Sequence, residues 1–254
     1  MDITFLGTGT SYGVPILACN CSTCTSSNPK NVRYRSSICI KINNQALLID
    51  TPPEMRLQLL DNNINDIDAI LFTHSHADHI MGLDDIRIIN KIHNKTIPCY
   101  GNSDTLHDLK KIFNYIFNPT QIGGGIPRIK INTIKKDFFY IDNIKVTPLP
   151  VKHGKLDILG YKINKFAYIT DCSHIPDSTL DKIQDIDILI IEALRYKSHS
   201  THMNISQALS IIQELNPKKA FLTHMSHKIE HKKVSDNLPK NVYLAYDGLN
   251  FQLN

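Results

Sequence analysis

Four potential metal ligands lie within six residues, in the run His74-Ser75-His76-Ala77-Asp78-His79. Neutral imidazole and carboxylate are ligands of borderline first-row metals such as Zn²⁺. Six residues cannot place all four side chains around one ion, so alternate projection predicts the first two histidines on one metal and the aspartate with the last histidine on a neighbour. The run follows the apolar segment 69–73, which is short and bulky enough to be a buried strand. The pattern therefore predicts a metal site rather than a polar surface turn.

A second candidate metal site is the run Cys19-Asn20-Cys21-Ser22-Thr23-Cys24, which holds three of the six cysteines. This spacing suits a metal better than disulfides. Structural zinc sites are closed and four-coordinate, so a fourth ligand has to come from elsewhere in the chain. The polar residues between the cysteines argue against three small buried side chains, and we predict a structural zinc.

Single histidines or aspartates follow apolar, strand-like segments at three further places: His153, Asp171 and His224. Strands of one sheet deliver their end residues to a common edge, where ligands bind in α/β folds. We therefore expect these side chains to belong to the same functional site as the histidine run. Asp50 also ends a predicted strand, and it is either a supporting residue of the metal site or a helix cap.

Composition sets broad limits. The 254 residues are 42% hydrophobic and 20% charged, and the net charge of +4 favours anionic substrates without predicting nucleic-acid binding. The sequence shows no signal peptide and no apolar run of membrane-spanning length, which predicts a cytoplasmic protein with no membrane partner. Strands and helices alternate without a repeat or linker, which predicts one layered α/β domain over residues 1–254.

Apolar periodicity predicts the individual elements. Helices are expected at about 53–60, 83–92, 103–117 and 205–215. The glycine-rich segment 118–127 is either a plain connector or a mobile loop at the mouth of the site. Strands are expected at 2–6, 37–42, 45–49, 67–73, 97–100, 138–141, 144–149, 158–163, 166–170, 187–191, 220–223, 242–245 and 249–252.

The H-x-H-x-D-H run resembles the signature of the metallo-β-lactamase superfamily, the αββα metallohydrolases. The resemblance implies an α/β fold, a four-layered αββα sandwich of two mixed sheets flanked by helices. It also implies two catalytic divalent metals, Zn²⁺ or Mn²⁺. Ligand type alone does not separate these two ions from iron. The implied ligands are His74, His76 and His153 for the first metal, Asp78, His79 and His224 for the second, and Asp171 bridging both.

The cysteine run is preceded by G-x-G-T-S-Y-G-V-P, from Gly7 to Pro15, and this N-terminus resembles the PhnP subgroup of cyclic phosphodiesterases. In that subgroup the fourth ligand of the structural zinc is a histidine three residues after the last catalytic ligand. His227 occupies this position. The resemblance thus implies a structural zinc held by Cys19, Cys21, Cys24 and His227.

The candidate catalytic residues are His202 and Asp78, the latter also as a metal ligand. His202 matches the histidine that phosphodiesterase branches of the superfamily use beyond the metal ligands, and Glu192 is a candidate to support it. An alkoxide leaving from phosphorus needs a proton or a metal, which gives such a histidine a role. The alternative is a surface histidine in a polar loop with His199. The remaining candidates are expected to be incidental: His174 and His231 without a role, and Cys172 packing in the interior.

The resemblance implies hydrolysis of small cyclic or diester phosphates, of the ribose cyclic phosphate or 2′,3′-cyclic nucleotide class, by attack of a metal-bridged hydroxide. The first alternative is 3′ processing of precursor tRNA, by a branch that carries a long Gly/Pro-rich arm not visible here. Further alternatives are a lactam or thioester hydrolase and a non-enzymatic, metal-stabilised interaction module. The expected partner is a small phosphodiester substrate, with RNA as the weaker choice, and a homodimer is plausible without any residue to assign to it.

Overall fold

A computed structural model describes residues 1–119 and 125–253. The predicted loop 118–127 therefore lies partly outside the described residues. Contacts divide the described chain into two compact units, the first from Met1–Leu6, Ser37–Lys136 and Gly248–Asn254, the second from Gly7–Ser36 and Asp137–Asp247. Each unit contains one seven-stranded sheet. The assignment of residues 1–254 to one domain stays a prediction.

The described elements follow the predicted alternation of strands and helices. The helices are α1 (Met55–Asp61), α2 (Ala77–Ile80), α3 (Ile86–His93), α4 (Ser103–Ile112), α5 (Asn114–Phe117), α6 (Asp177–Leu180), α7 (Ile205–Leu215) and α8 (His231–Ser235). The strands are β1 (Asp2–Gly7), β2 (Ser37–Ile42), β3 (Gln45–Ile49), β4 (Ala69–Leu71), β5 (Ile97–Gly101), β6 (Ile129–Thr133), β7 (Phe139–Ile141), β8 (Ile144–His153), β9 (Leu156–Ile163), β10 (Phe166–Ile169), β11 (Ile188–Glu192), β12 (Lys219–Thr223), β13 (Val242–Leu244) and β14 (Asn250–Gln252).

The sheet of the first unit has the strand order β14-β1-β2-β3-β4-β5-β6. The pair β2–β3 is antiparallel, whereas β3, β4, β5 and β6 run parallel, so the sheet is mixed. The strands predicted at 37–42 and 45–49 pair as a hairpin, and both residues of its two-residue turn, Asn43 and Asn44, adopt positive φ (50° and 63°). Strand β4 is wholly buried, which explains why its sequence is continuously apolar rather than alternating.

The sheet of the second unit has the strand order β13-β12-β11-β10-β9-β8-β7. Strands β10 to β13 are parallel, and β7 to β10 are antiparallel neighbours. Strands β8, β10, β11 and β12 therefore point the same way and end at one edge of this sheet. His153 ends β8, Glu192 ends β11, and Asp171 and His224 follow β10 and β12 directly or within two residues. One sheet edge thus receives all four side chains.

Several element predictions differ from the structure. The helix expected over 103–117 is interrupted at Phe113, whose φ of −101° and ψ of 42° are not helical. Strand β8 extends past the predicted end at residue 149 to His153, because Pro148 and Pro150 both lie in register with residues of β9. Strand β6 was not predicted, since its short, half-exposed pattern carries little apolar signal. None of the helices in the described part of the chain combines the length and apolar character that a membrane crossing requires.

Gly82 follows the histidine run and lies against the chain before α1. A Cβ atom at this position would lie 2.2 Å from the carbonyl oxygen of Pro52 and 2.9 Å from Cβ of Met55. We expect Gly82→Ala to lower the free energy of unfolding by about 1–3 kcal/mol, the usual range for overpacking. Urea unfolding measures this, with Gly125→Ala as the matched control, since a Cβ there meets no described heavy atom within 4 Å. Equal stability of the two variants would contradict the expectation.

Candidate metal centres

The histidine run places its four donors as two pairs within the first unit. Nε2 of His74 lies 3.0 Å from Nδ1 of His76, and Nε2 of His79 lies 3.2 Å from Oδ2 of Asp78. Donor atoms at these separations can share one ion. His74 and His79 are buried and His76 is exposed, and the assignment of each pair to one metal stays a prediction.

Asp50 orients two of these histidines. Its Oδ2 lies 2.7 Å from Nδ1 of His79 and also accepts the hydroxyl of Thr73 at 2.7 Å, while Oδ1 accepts the Thr73 N–H at 2.8 Å. Because the Thr73 hydroxyl donates to Asp50, it accepts from Nδ1 of His74, 2.9 Å away. Both imidazoles therefore carry their proton on Nδ1 and present Nε2 as the ligand atom. Burial raises the pKa of Asp50, and the His79 and Thr73 contacts oppose this rise.

The two explanations left open for Asp50 are thus separated. It does not cap helix α1, which begins at Met55 with Glu54 as its N-cap. It supports the histidines instead. Thr73, the other member of this network, was not predicted, because a threonine at the end of an apolar segment gives no signal of its own.

Asp50→Asn is expected to weaken metal binding about 10- to 100-fold, the usual effect of losing a carboxylate behind a ligating histidine. The asparagine keeps the volume but loses the charge that holds the Nδ1 proton of His79. Metal affinity can be measured by competition with a chromogenic chelator. Asp68→Asn, a partly buried carboxylate in the same unit whose partners are Lys95 and the N–H of Ala46, is the control. Unchanged affinity in Asp50→Asn alongside this control would remove the orienting role.

In the second unit, three further predicted ligands are His153, Asp171 and His224. Nε2 of His224 lies 3.1 Å from Oδ1 of Asp171. Nδ1 of His153 lies 2.8 Å from the carbonyl oxygen of Thr201, which can only accept, so Nδ1 carries the proton and Nε2 is the ligand atom. All three side chains are at most 9% exposed. The burial of all three side chains and the fixed tautomer of His153 suit metal ligation.

Three of these polar side chains leave strand ends through left-handed backbone. Asp50, Asp171 and His224 have φ values of 63°, 53° and 54°. Non-glycine residues adopt this conformation at a cost of about 1–3 kcal/mol and do so preferentially at functional sites. The left-handed backbone at the strand end changes the direction of each of these side chains. Strand periodicity alone therefore does not predict which way they point.

His202 and Glu192 form a close pair, as predicted. Nδ1 of His202 lies 2.9 Å from Oε2 of Glu192, and Oε1 of Glu192 accepts the N–H of Met203 at 3.2 Å. The His202 ring stacks on that of His224 with centroids 5.1 Å apart and lies 4.7 Å from that of His153. Burial raises the pKa of Glu192 to about 7, opposed by His224. His202 is therefore held beside two predicted metal ligands rather than in a detached surface loop.

The cysteine run and His227 meet within the second unit. The sulfurs of Cys19, Cys21 and Cys24 lie 3.2, 3.5 and 3.6 Å from Nδ1 of His227. Tetrahedral zinc with bonds of about 2.3 Å to sulfur and about 2.0–2.1 Å to nitrogen places S and N about 3.6 Å apart. The sulfurs of Cys21 and Cys24 lie at this distance and that of Cys19 lies somewhat nearer, so the four donors suit a tetrahedral zinc. The N–H of Cys24 lowers the pKa of Cys21 to about 7, whereas burial raises the pKa of Cys24 to about 11. A bound metal would favour the thiolate form of both.

Arg33, which was not predicted, holds the segment that carries His227. It is 1% exposed, and its guanidinium donates to the carbonyl oxygens of Ser226 at 3.0 Å and Ile229 at 2.7 Å. The segment around the histidine is thereby fixed on both sides. The sequence offered no signal for this role, because the partners lie nearly 200 positions away.

The residues expected to be incidental have structural explanations. Cys172 is fully buried within the apolar core of the second unit, where burial raises the pKa of its thiol. His174 is exposed, and its backbone pairs with Lys152. His231 is buried at the start of α8, with its ring 5.8 Å from that of Tyr246.

The structure thus brings together His74, His76, Asp78 and His79 in one unit, and His153, Asp171, His202 and His224 in the other. The distribution of the seven ligands over two metals stays a prediction.

Comparison with known proteins defines the class. Residues 45–225 match the model of the "Beta-lactamase superfamily domain" family, which is most of the chain. The chain therefore belongs to the beta-lactamase superfamily. A crystal structure described as a new diphosphatase from the PhnP family is 38% identical and superposes with a TM-score of 0.93, covering 100% of this chain and 98% of that one. Within the superfamily, this chain is a PhnP-like, metal-dependent hydrolase.

Two further similarities extend the comparison. A Porphyromonas gingivalis protein named octanoyltransferase is 35% identical over 253 residues, which cover 98% of this chain and 51% of that relative. The chain thus spans about half the length of this curated relative. The short form of human tRNase Z is 20% identical with a TM-score of 0.75, covering 100% of both chains, which shows a shared fold. The superfamily implies divalent metal cofactors, and the donor sets described above fit them.

Proposed function

We propose that the chain is a phosphodiesterase that hydrolyses small cyclic or diester phosphates, with ribose cyclic phosphates and 2′,3′-cyclic nucleotides as the substrate class. The observation that carries the proposal is the Glu192–His202 pair, 2.9 Å apart, stacked beside His224. Lactam or thioester hydrolysis on the same ligands has no need for this pair. Similarity to a PhnP-family diphosphatase supports the same choice.

The proposed metal ligands follow the family pattern. His74, His76 and His153 would hold one catalytic metal, Asp78, His79 and His224 the second, and Asp171 both. Cys19, Cys21, Cys24 and His227 would hold a structural zinc. When bound, Zn²⁺ or Mn²⁺ at the catalytic ligands supplies a water nucleophile at neutral pH and neutralises charge on phosphate oxygens.

His202 would then act as the general acid. The Glu192 carboxylate beside Nδ1 stabilises the imidazolium, so that Nε2 carries the proton to be transferred. The leaving sugar oxygen takes this proton as its bond to phosphorus breaks. Buried Glu192 is itself fixed by the Met203 N–H, which keeps the imidazole ring in one orientation.

Processing of tRNA 3′ ends is the second candidate. Proteins named ribonuclease Z, including one from Methanococcus maripaludis that is 23% identical over 252 residues, support it. The net charge of +4 gives little electrostatic attraction for a large polyanion, which favours a small substrate. We do not propose octanoyl transfer for this chain, because about half of the Porphyromonas gingivalis relative lies outside the matched part.

A metal count combined with a substrate panel tests the proposal. We expect three metals per chain and hydrolysis of cyclic ribose phosphate or a 2′,3′-cyclic nucleotide. The panel also contains a diphosphate-bridged diester, precursor tRNA and a lactam. Cleavage of precursor tRNA alone would favour the second candidate, and hydrolysis of the lactam alone, or a single zinc per chain, would overturn the proposal.

We further propose a cytoplasmic location, because the cysteine cluster binds zinc only with its thiols reduced. Small-molecule diesters are the proposed partners, and the homodimer stays a prediction.

A further inference from the structure

The segment between β11 and α7, residues 193–204, carries a second histidine beside His202. The ring of His199 is exposed, and its centroid lies 5.0 Å from that of His202. Arg195 orders this part of the segment, since its guanidinium donates to the carbonyl oxygens of Lys197 at 3.2 Å and Ser198 at 2.9 Å. His199 is therefore an exposed side chain on an ordered segment.

Thr201 fixes the tautomer of His199. Its backbone N–H lies 3.3 Å from Nδ1 of His199, and its hydroxyl oxygen lies 3.1 Å from the same atom. A backbone N–H can only donate, so Nδ1 accepts and the neutral ring carries its proton on Nε2. Partial burial, and then the charges of His202 and Arg195, lower the pKa of His199 and favour this neutral form.

Thr201 also ties this histidine to a predicted metal ligand. Its carbonyl oxygen accepts from Nδ1 of His153 at 2.8 Å. Its side chain lies over Gly154, where an added Cβ would be 2.8 Å from Cγ2 of Thr201 and where φ is +59°. One residue thus sets the position of His153 on one side and of His199 on the other.

We propose that His199 is a substrate-binding residue whose Nε2–H donates to a non-bridging phosphoryl oxygen of the diester while His202 protonates the leaving oxygen. This inference rests on the proposed phosphodiesterase function. The anchored Nδ1 directs Nε2 away from Thr201. A neutral donor on a fixed ring binds an anionic oxygen without placing a second positive charge beside the imidazolium of His202. The role also explains why a histidine stands at an exposed position with one nitrogen committed.

Three substitutions separate this role from a structural one. In His199→Asn the amide oxygen takes the place of Nδ1 and keeps the contact with Thr201, but the outer donor is lost. In His199→Gln the amide group reaches the place of Nε2 and restores a donor. His199→Ala removes both. His174→Ala, another exposed histidine of the same unit, is the matched control.

We expect His199→Ala and His199→Asn to lower kcat/KM for the best diester of the panel about 10- to 100-fold, the range for a hydrogen bond to a charged group. His199→Gln should recover most of this loss, and metal content should equal that of the wild type in all three. Recovery by asparagine and not by glutamine would assign His199 a purely structural role and overturn the inference. An unchanged kcat/KM in His199→Ala would also overturn the inference.

Binding of inorganic phosphate, measured by calorimetry on the metal-loaded protein, separates this inference from the proposed function. We expect His199→Ala to weaken phosphate binding about tenfold and His174→Ala to leave it unchanged. If the wild type hydrolyses no diester yet His199→Ala still weakens phosphate binding, the proposed function fails and the anion-binding role stands. If diesters are hydrolysed and neither rate nor phosphate affinity changes in His199→Ala, the function stands and the role of His199 fails.

Discussion

His202→Ala is expected to lower kcat for a diester with an alkoxide leaving group about 10²- to 10⁴-fold, the contribution of a positioned general acid. Its Nδ1 contacts Glu192, and its ring stacks on His224 without being one of the seven ligands that the family pattern assigns. The catalytic metals should therefore remain bound. Steady-state kinetics with metal analysis of the same sample measures both quantities.

A leaving-group series provides the control for this variant. A 4-nitrophenyl diester releases a stable phenolate that needs no proton, so His202→Ala should retain much more of its activity with this substrate. Glu192→Gln should show the same dependence on the leaving group with a smaller loss, because the imidazolium loses its carboxylate and not its proton. Full activity of His202→Ala with the alkoxide leaving group would exclude the role, and an equal loss with both esters would point to disturbed metal binding.

The candidate site was predictable where chemistry is concentrated in a short stretch of sequence. The run His74–His79 gives ligand type, spacing and a preceding strand together, and in the structure its donors lie within 3.2 Å of each other in two pairs. Helix α7 was predicted at its observed bounds from its apolar periodicity, and in the structure a capping box of Asn204 and Gln207 begins it. Such features depend on neighbours within four positions, which a single sequence displays directly.

The residues that position these ligands were not predictable in the same way. Asp50 was a candidate, but its partner Thr73, 23 positions away, was not, and Arg33 lies 193 positions from Ser226. Thr201 acts partly through its backbone, which has no dependence on residue type. Strand β8 continues through two prolines because its pairing with β9 leaves them compatible with the sheet. Each case depends on tertiary contacts, which local periodicity does not contain.

Cys24→Ser is expected to remove one zinc per chain and to loosen the segment 16–34. Structural zinc in small peptides contributes an apparent binding free energy of about 10–16 kcal/mol at pH 7, and serine is a poor substitute for a thiolate. Because the rest of the second unit has its own apolar core, we expect local rather than global unfolding. Metal analysis should show the loss of one zinc, and limited proteolysis should cut first within 16–34. Ser22→Ala, an exposed position between the ligands, is the matched control.

The loss should extend to catalysis, because His227 and the predicted ligand His224 follow the same strand, β12, three residues apart. Arg33 binds this segment through Ser226 and Ile229, and the carbonyl of Thr8 accepts the N–H of Met225 at 2.8 Å. Because Arg33 belongs to the segment 16–34, loosening of that segment weakens its hydrogen bonds to Ser226 and Ile229 at the same time as the zinc bond of His227 is lost. We therefore expect Cys24→Ser to weaken binding of the catalytic metal assigned to His224, with partial recovery of activity at high metal concentration. A variant that retains its full zinc content, or loses zinc with no change in catalytic metal affinity, would show that the two centres are independent.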